Sequence, residues 1–188
     1  TVAIPELMRL LMDEEGLEWE EAWAVVSNAC AYTNHTIMPE ALECWPESLI
    51  KERIPRIYMI IKEIDRRYRE ETLALTGNHQ LVEKTAVISN GIVRMANLCV
   101  AACHAVNGVS KLHSEIIVDE LFNDYAKMTP DKFKNVTNGI AHRRWLCCAN
   151  PELTKFLTQT IGDGFITNAA ELEKLMDAAA YEEMCANE

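Results

Sequence analysis

Three short polar segments hold most of the side chains that could do chemistry. They are Tyr32-Thr33-Asn34-His35-Thr36, Cys103-His104-Ala105-Val106-Asn107-Gly108 and Val136-Thr137-Asn138-Gly139. Each follows a short apolar run and precedes a helical pattern. In open α/β sheets, ligands bind beyond the carboxyl ends of the strands. Three such turns side by side would present amides, an imidazole and carbonyls to a polyhydroxylated ligand. Each turn alone is better accounted for as a capped loop.

Other groupings carry weaker signals. Cys99, Cys103 and His104 could face one another on a helix with His113 nearby, and a zinc site would need them in a tetrahedron at about 2.0–2.3 Å. Small buried residues on a core element are the favoured reading, and no metal site is assigned. Glu40 and Glu43 lie one helical turn apart. A carboxylate pair can serve glycoside chemistry, but carboxylates at a helix start facing the macrodipole are commoner. Arg143-Arg144 could hold an anion, although adjacent side chains on a helix diverge. There is no P-loop, GxGxxG, HExxH or GxSxG motif.

The elements that must position these residues are mostly helical. Apolar spacing predicts helices over Ala3–Glu14, ended by Gly16, and over Trp19–Ser27. Cys30–Thr33 reads as a short buried strand. Pro39–Glu43 reads as a helix start broken at Pro46. Leu49–Tyr68 reads as a long amphipathic helix bent near Pro55. Leu75–Ser89 is mixed, with a surface turn at Thr76-Gly77-Asn78. Met95–Ala102 could be helix or buried strand. Asn107-Gly108 reads as a turn before a helix from Val109 to Leu121. Phe133–Ile140 reads as a strand and Arg144–Ile161 as helix interrupted at Asn150-Pro151. Ala169–Met184 reads as an acidic helix. The expected class is a helix-rich α/β layer with a few short parallel strands.

Composition removes several functions. The chain has 188 residues, 49% hydrophobic, and a net charge of −11. That apolar content excludes disorder, and a chain of this length can bury roughly 70% of its unfolded surface. The acidic balance argues against non-specific nucleic-acid binding, which needs a basic surface. The longest apolar stretch, Leu98–Val106, is interrupted by His104 and falls far short of the ~20 residues of a spanning helix. Seven cysteines, with no CxxC pair, read as reduced thiols of a cytoplasmic protein. Neither end carries a start or cap signal, so a fragment is expected, with some apolar surface meant for other segments.

The polar turns belong to longer motifs in one order along the chain. These are AIPELMRLL (Ala3–Leu11), AYTNHT (Ala31–Thr36), PEALECWP (Pro39–Pro46), RMANLCV (Arg94–Val100), HAVNGVSKLHSEI (His104–Ile116), KNVTNGIAHRRW (Lys134–Trp145) and NPEL (Asn150–Leu153). On these motifs the chain closely resembles the pyridoxal-phosphate-dependent α-glucan phosphorylases, the glycogen, starch and maltodextrin phosphorylase family. Three places depart from the family pattern: Ala141-His142 replace Thr-Pro before the arginine pair, Cys44 stands for an Arg, and Ala102-Cys103 stand for a Gly-Ser pair.

The resemblance implies a slice of a much longer enzyme with two Rossmann-like domains of the GT-B type. Residues 1–138 would be the later part of the N-terminal, glucosyl-binding domain. Residues 139–188 would be crossover helices leading into the cofactor-binding domain. The implied reaction is reversible phosphorolysis of α-1,4-glucan to glucose 1-phosphate with retained configuration. It would not use Glu40 and Glu43. The Schiff-base lysine would lie beyond Glu188, so the isolated chain should be inactive. His35 would be the catalytic residue, its carbonyl facing developing positive charge and its imidazole bonding the sugar 6-hydroxyl. Asn138 would meet the same hydroxyl, Val109 would wall the C6 side, and Thr36 and Ala41 would line the adjoining pocket. Trp145 would pack near pyridoxal phosphate. Pro39 and the helix after it would stiffen the His35 loop. The implied partners are glucan, phosphate and a second copy in a homodimer. A rival of another class is a non-catalytic, self-associating binding module.

Overall fold

The computed structural model describes residues Thr1–Met176, and the chain divides after Thr137 into two units. In the first unit the amphipathic patterns fold as their spacing demands. Helix α1 (Ala3–Arg9) buries Ile4 and Met8 and widens into a π-helical turn, Leu10–Glu14, before Gly16 ends it at φ +74°. Helix α2 (Trp19–Ala29) starts in a capping box made by Glu18 and Glu21.

The expected long helix is two. Helix α3 (Glu47–Arg53) stops at Ile54, and α4 (Pro55–Thr76) starts on Pro55. Proline lacks the N–H a continuous helix needs and restricts the residue before it, so the chain breaks rather than bends. Helix α4 buries Ile57, Ile60, Ile61 and Ile64. Asp65 is also buried there, accepting from the amides of Val87 (2.7 Å) and Ile88 (3.1 Å) and from Arg69 Nε (2.8 Å). Gly77 ends α4 in the left-handed region, and Asn78 caps α5 (His79–Thr85).

Four further expectations are corrected. Pro39–Ala41 is only a 3-10 turn, followed by a strand, β2 (Cys44–Pro46). β1 (Ala31–Thr33) is not buried: Ala31 and Thr33 are exposed, because β1 is a sheet edge. Asn107-Gly108 is strand rather than turn, and the strand at Phe133 stops at Asn135. Met95–Ala102 is a helix, α6, with every residue buried. A helix that is apolar all round must be enclosed. Its Met95, Leu98, Cys99 and Ala102 join one core cluster with α1, α2 and α4. Its Ala96 and Val100 join a second, with Val106, Ile117, Phe122 and Tyr125.

The strands form two three-stranded sheets. β1, β5 (Ala105–Gly108) and β6 (Phe133–Asn135) make a parallel sheet in the order β1-β5-β6, with Thr33 beside Asn107 and Asn107 beside Lys134. β2, β3 (Ile88–Ser89) and β4 (Ile92–Arg94) make an antiparallel sheet that the sequence reading did not anticipate. Asn90 and Gly91, both at positive φ, close the β3–β4 hairpin. Between β5 and β6 run α7 (Lys111–Ile116), a π-helical turn (Ile117–Leu121) and α8 (Asn123–Met128).

In the second unit, a π-helical turn (Arg143–Cys148) leads through Asn150, which caps α9 (Pro151–Ile161) with Pro151 in its first turn. Leu157 and Phe165 are buried. Ala169–Met176 is 3-10 helix. The rest of the predicted terminal helix lies outside the described residues.

Candidate functional site

Because the parallel strands run the same way, their carboxyl ends emerge together. The chain leaving β1 is pinned by Asn34, which is 1% exposed. Its amide donates to the Asn107 carbonyl (3.0 Å), its Oδ1 accepts from the Thr36 amide (2.9 Å), and its Nδ2 donates to the Tyr32 hydroxyl (3.1 Å). Burial pushes the Tyr32 phenol above its ordinary value. Thr36 Oγ1 then accepts from the Met38 amide (3.1 Å). Two side-chain turns in succession therefore fix Asn34–Met38. The helix expected after Pro39 to add stiffness is only a 3-10 turn.

Asn107, on the central strand, holds both neighbours. Its carbonyl takes the Asn34 amide, and its Oδ1 takes the Val136 amide (2.7 Å) just past β6. Gly108 follows because α7 passes close: a Cβ there would lie 2.8 Å from Ser114 Cα and collide with Ser114 Oγ. Ser114 Oγ donates to the Ser110 carbonyl (2.8 Å) and accepts from Asn135 Nδ2 (2.8 Å). Ser110 caps α7 by accepting from the His113 amide (3.1 Å). The His113 ring returns over the strand ends, with Nδ1 3.1 Å from the Val109 amide and Nε2 3.4 Å from the Thr36 carbonyl.

The six site residues are thus distributed unevenly. His35 and Thr36 follow β1, and Val109 follows β5, the neighbouring strand. His35 is exposed and Val109 half-buried. Ala41 is exposed in the 3-10 turn downstream. Asn138 and Trp145 belong to the second unit. Trp145 is exposed, with the Arg144 guanidinium 5.1 Å from its ring centroid. Arg143 instead reaches the Ile166 carbonyl (3.5 Å), so the pair does diverge. His142, one of the departures, bonds the carbonyls of Phe165 (2.9 Å) and Ile166 (3.2 Å) through Nε2.

The weaker groupings resolve differently. Glu43 lies past the 3-10 turn, not at a helix start. Hydrogen bonds from Trp45 Nε1 (2.8 Å) and Thr1 Oγ1 (2.8 Å) occupy its carboxylate, and the first of these chiefly holds it below its ordinary value. Cys99 and Cys103 are buried, while His104 is exposed at the amino end of β5 with Nδ1 3.3 Å from the Ser27 carbonyl. His113 lies at the other end of that strand. Among the described residues no group of three or more His, Cys, Asp or Glu converges on a metal position. Nor is any helix long and apolar enough to cross a membrane.

Asn34, Asn107 and His113 are the residues that sequence reasoning passed over as supports. The first two stand inside the polar turns, but nothing in their spacing marks them as the groups that join one turn to the next.

In helix-rich α/β units, polar loops at the carboxyl ends of parallel strands are the common place for ligands. Comparison with known proteins makes this specific. The carbohydrate phosphorylase family model matches residues 1–187, and the chain belongs to that family. It is 53% identical over 164 residues to the α-glucan phosphorylase H isozyme of Triticum aestivum, covering 85% of this chain and 20% of that protein. It is 46% identical over 180 residues to the muscle form of glycogen phosphorylase of Bos taurus, covering 94% and 21% respectively. With the glycogen phosphorylase of Bacillus subtilis the figures are 45% over 175 residues, 93% and 22%. The chain therefore spans about a fifth of the length of these relatives.

Proposed function

We propose that this chain is a segment of an α-glucan phosphorylase and supplies part of the wall that holds the glucosyl unit. Residues 1–138 would belong to the N-terminal half of a GT-B enzyme, and 139–188 would lead into its cofactor-binding half. The observation that carries the reading is the cross-bonding of the strand ends bearing His35, Thr36 and Val109. A site that stabilises a developing charge needs groups already in place, because reorganisation during reaction would cancel the gain.

Within that wall, the His35 carbonyl stabilises an oxocarbenium-like centre and its imidazole bonds the sugar 6-hydroxyl. The Asn34 and Thr36 side-chain turns fix the backbone that aims the carbonyl. Val109 excludes water from the C6 side, and Thr36 and Ala41 border the adjoining pocket. The family resemblance also assigns a sugar contact to Asn138. Pyridoxal phosphate, when bound in the whole enzyme, supplies a phosphate group for proton transfer. An exposed indole such as Trp145 suits packing against a planar cofactor ring, but this chain's described lysines offer no comparable case for the Schiff base. Lys132 is the partly buried one, and its amine already donates to the carbonyls of Val100 (3.0 Å) and Ala101 (3.1 Å).

The substrates would be glucan and phosphate, the compartment the cytoplasm and the assembly a homodimer. The six described cysteines are free thiols, which suits a reducing compartment. The test is phosphate-dependent release of glucose 1-phosphate from a linear α-1,4-glucan. The whole protein should release it, and the isolated 188-residue chain should not. Release by the isolated chain would overturn the proposal, as would its absence from the whole protein. A non-catalytic self-associating module remains the second reading, favoured by β1 and β6 being the edge strands of the parallel sheet among the described residues. Light scattering on the isolated chain distinguishes a monomer from self-assembly.

A further inference from the structure

We propose that His113 is a positioning residue that locks the β1 and β5 strand ends at a fixed separation through one tautomer of its ring. The inference rests on the functional reading above and deepens it.

The argument begins with the Val109 amide. A backbone N–H can only donate, so the Nδ1 atom 3.1 Å away must present a lone pair. A neutral imidazole with a bare Nδ1 carries its proton on Nε2. Nε2 faces the Thr36 carbonyl at 3.4 Å, an acceptor only, so the proton points where it is needed. The two contacts select the same tautomer independently. One ring thus joins the segment after β5 to the segment after β1, across 77 residues of sequence.

The placement of the ring is itself fixed. Its backbone amide donates to the capping Ser110 Oγ, and the helix carrying it is drawn against β5, where only glycine fits at position 108. His113 is half-buried, so the ring is shielded on the side of the strands. Neither Thr36 nor Val109 has its bonded backbone atom exchanged for a side chain by mutation. The imidazole is therefore the point at which their spacing can be changed. Loss of the clamp would let the Val109 wall and the Thr36 border drift apart, and displacements of that kind act on the transition state more than on ground-state binding.

The test uses the whole protein. Nitrogen NMR of labelled histidine, with the His113 signal identified by its loss in a variant, reads the tautomer directly. The expected result is a bare Nδ1 and a protonated Nε2. Kinetics of His113→Asn and His113→Leu follow, with melting temperatures measured alongside. Asn keeps an acceptor in the Nδ1 position but cannot reach Thr36, whereas Leu has neither group. The expected order of kcat is wild type, then Asn, then Leu, with Leu at least tenfold down at a temperature where all three are folded. KM should change less than kcat. A protonated Nδ1 overturns the proposal, as does a folded Leu variant with wild-type kcat. If the wild-type protein itself releases no glucose 1-phosphate, the functional reading fails and the positioning role falls with it. An active wild type matched by the Leu variant instead overturns the clamp alone.

Discussion

The two ends of β5 each have a histidine nearby, and they are built in opposite ways. At the amino end, Cys103 is buried beside Cys99, and the exposed His104 makes one side-chain contact, at 3.3 Å to the Ser27 carbonyl. A cleft of about 370 Å³ lies there, bordered by Trp19, Trp23, Tyr68 and Lys132. At the carboxyl end, Asn34, Asn107, Ser110, His113 and Ser114 bond to one another's backbones and to the three strand ends. The first end is held largely by packing, with Lys132 donating to the last carbonyls of α6. The second is held by directional bonds, most of them partly buried, where an unmade bond costs part of its desolvation. Burial of this kind fixes geometry, which is what a site needs and a core does not.

The largest effects should come from breaking the carboxyl end. Asn34→Leu leaves the Thr36 amide and the Tyr32 hydroxyl without their partner and is expected to cost about 2–3 kcal/mol. In the whole protein it should also lower phosphorolysis at least tenfold, read as kcat/KM. Gly108→Ala should cost about 1–3 kcal/mol in denaturant unfolding, because the added methyl meets the Ser114 backbone, which cannot swing aside. Adding Ser114→Ala removes the hydroxyl but not Cα at 2.8 Å, so rescue should be partial.

Smaller effects sharpen the contrast. His104→Ala at the amino end should change stability by less than about 0.5 kcal/mol, since its ring is exposed. A cost as large as that of Asn34→Leu would erase the distinction drawn between the ends. Thiol labelling should modify the exposed Cys44 and Cys148 quickly and Cys99 and Cys103 only on unfolding. Cys99 is further protected because its hydrogen bond with Cys103, and then burial, push its thiol well above the ordinary value.

A further small effect serves as a control on the outer face of α4. Arg66 and then Arg67 hold Glu63 down to about 2, against an ordinary 4.5. A carboxylate lowered on folding stabilises above its unfolded value and loses that contribution as pH falls through the folded one. Glu63→Gln should therefore reduce stability slightly at neutral pH, by less than about 1 kcal/mol for so exposed a pair. Most of that difference should vanish in melts taken near pH 2.

Much of the architecture was legible because its signals are local. The isoleucines of α4 recur at helical spacing, Asn78 and Asn150 stand where caps belong, and Pro151 opens α9. The β3–β4 hairpin also carried a readable sign, since Asn90-Gly91 between Ile88 and Ile92 is a two-residue turn signal. It was passed over because strands of two and three residues leave no alternation to count. β2 and the boundary at Ala41 were misread because a proline-led helix start and a 3-10 turn look alike over three residues. The π-helical turns have no such sign in the sequence.

By itself, the sequence determined which residues could do chemistry, that they stand in three separate turns, and to which family their motifs belong. Those facts follow from residue type and short spacing. Only the tertiary structure decided that the ends of β1, β5 and β6 are one cross-bonded surface, and that the His113 ring bridges two of its parts. Hydrogen bonds between segments 77 residues apart leave no periodicity in the chain. They exist only once the parallel strands lie side by side.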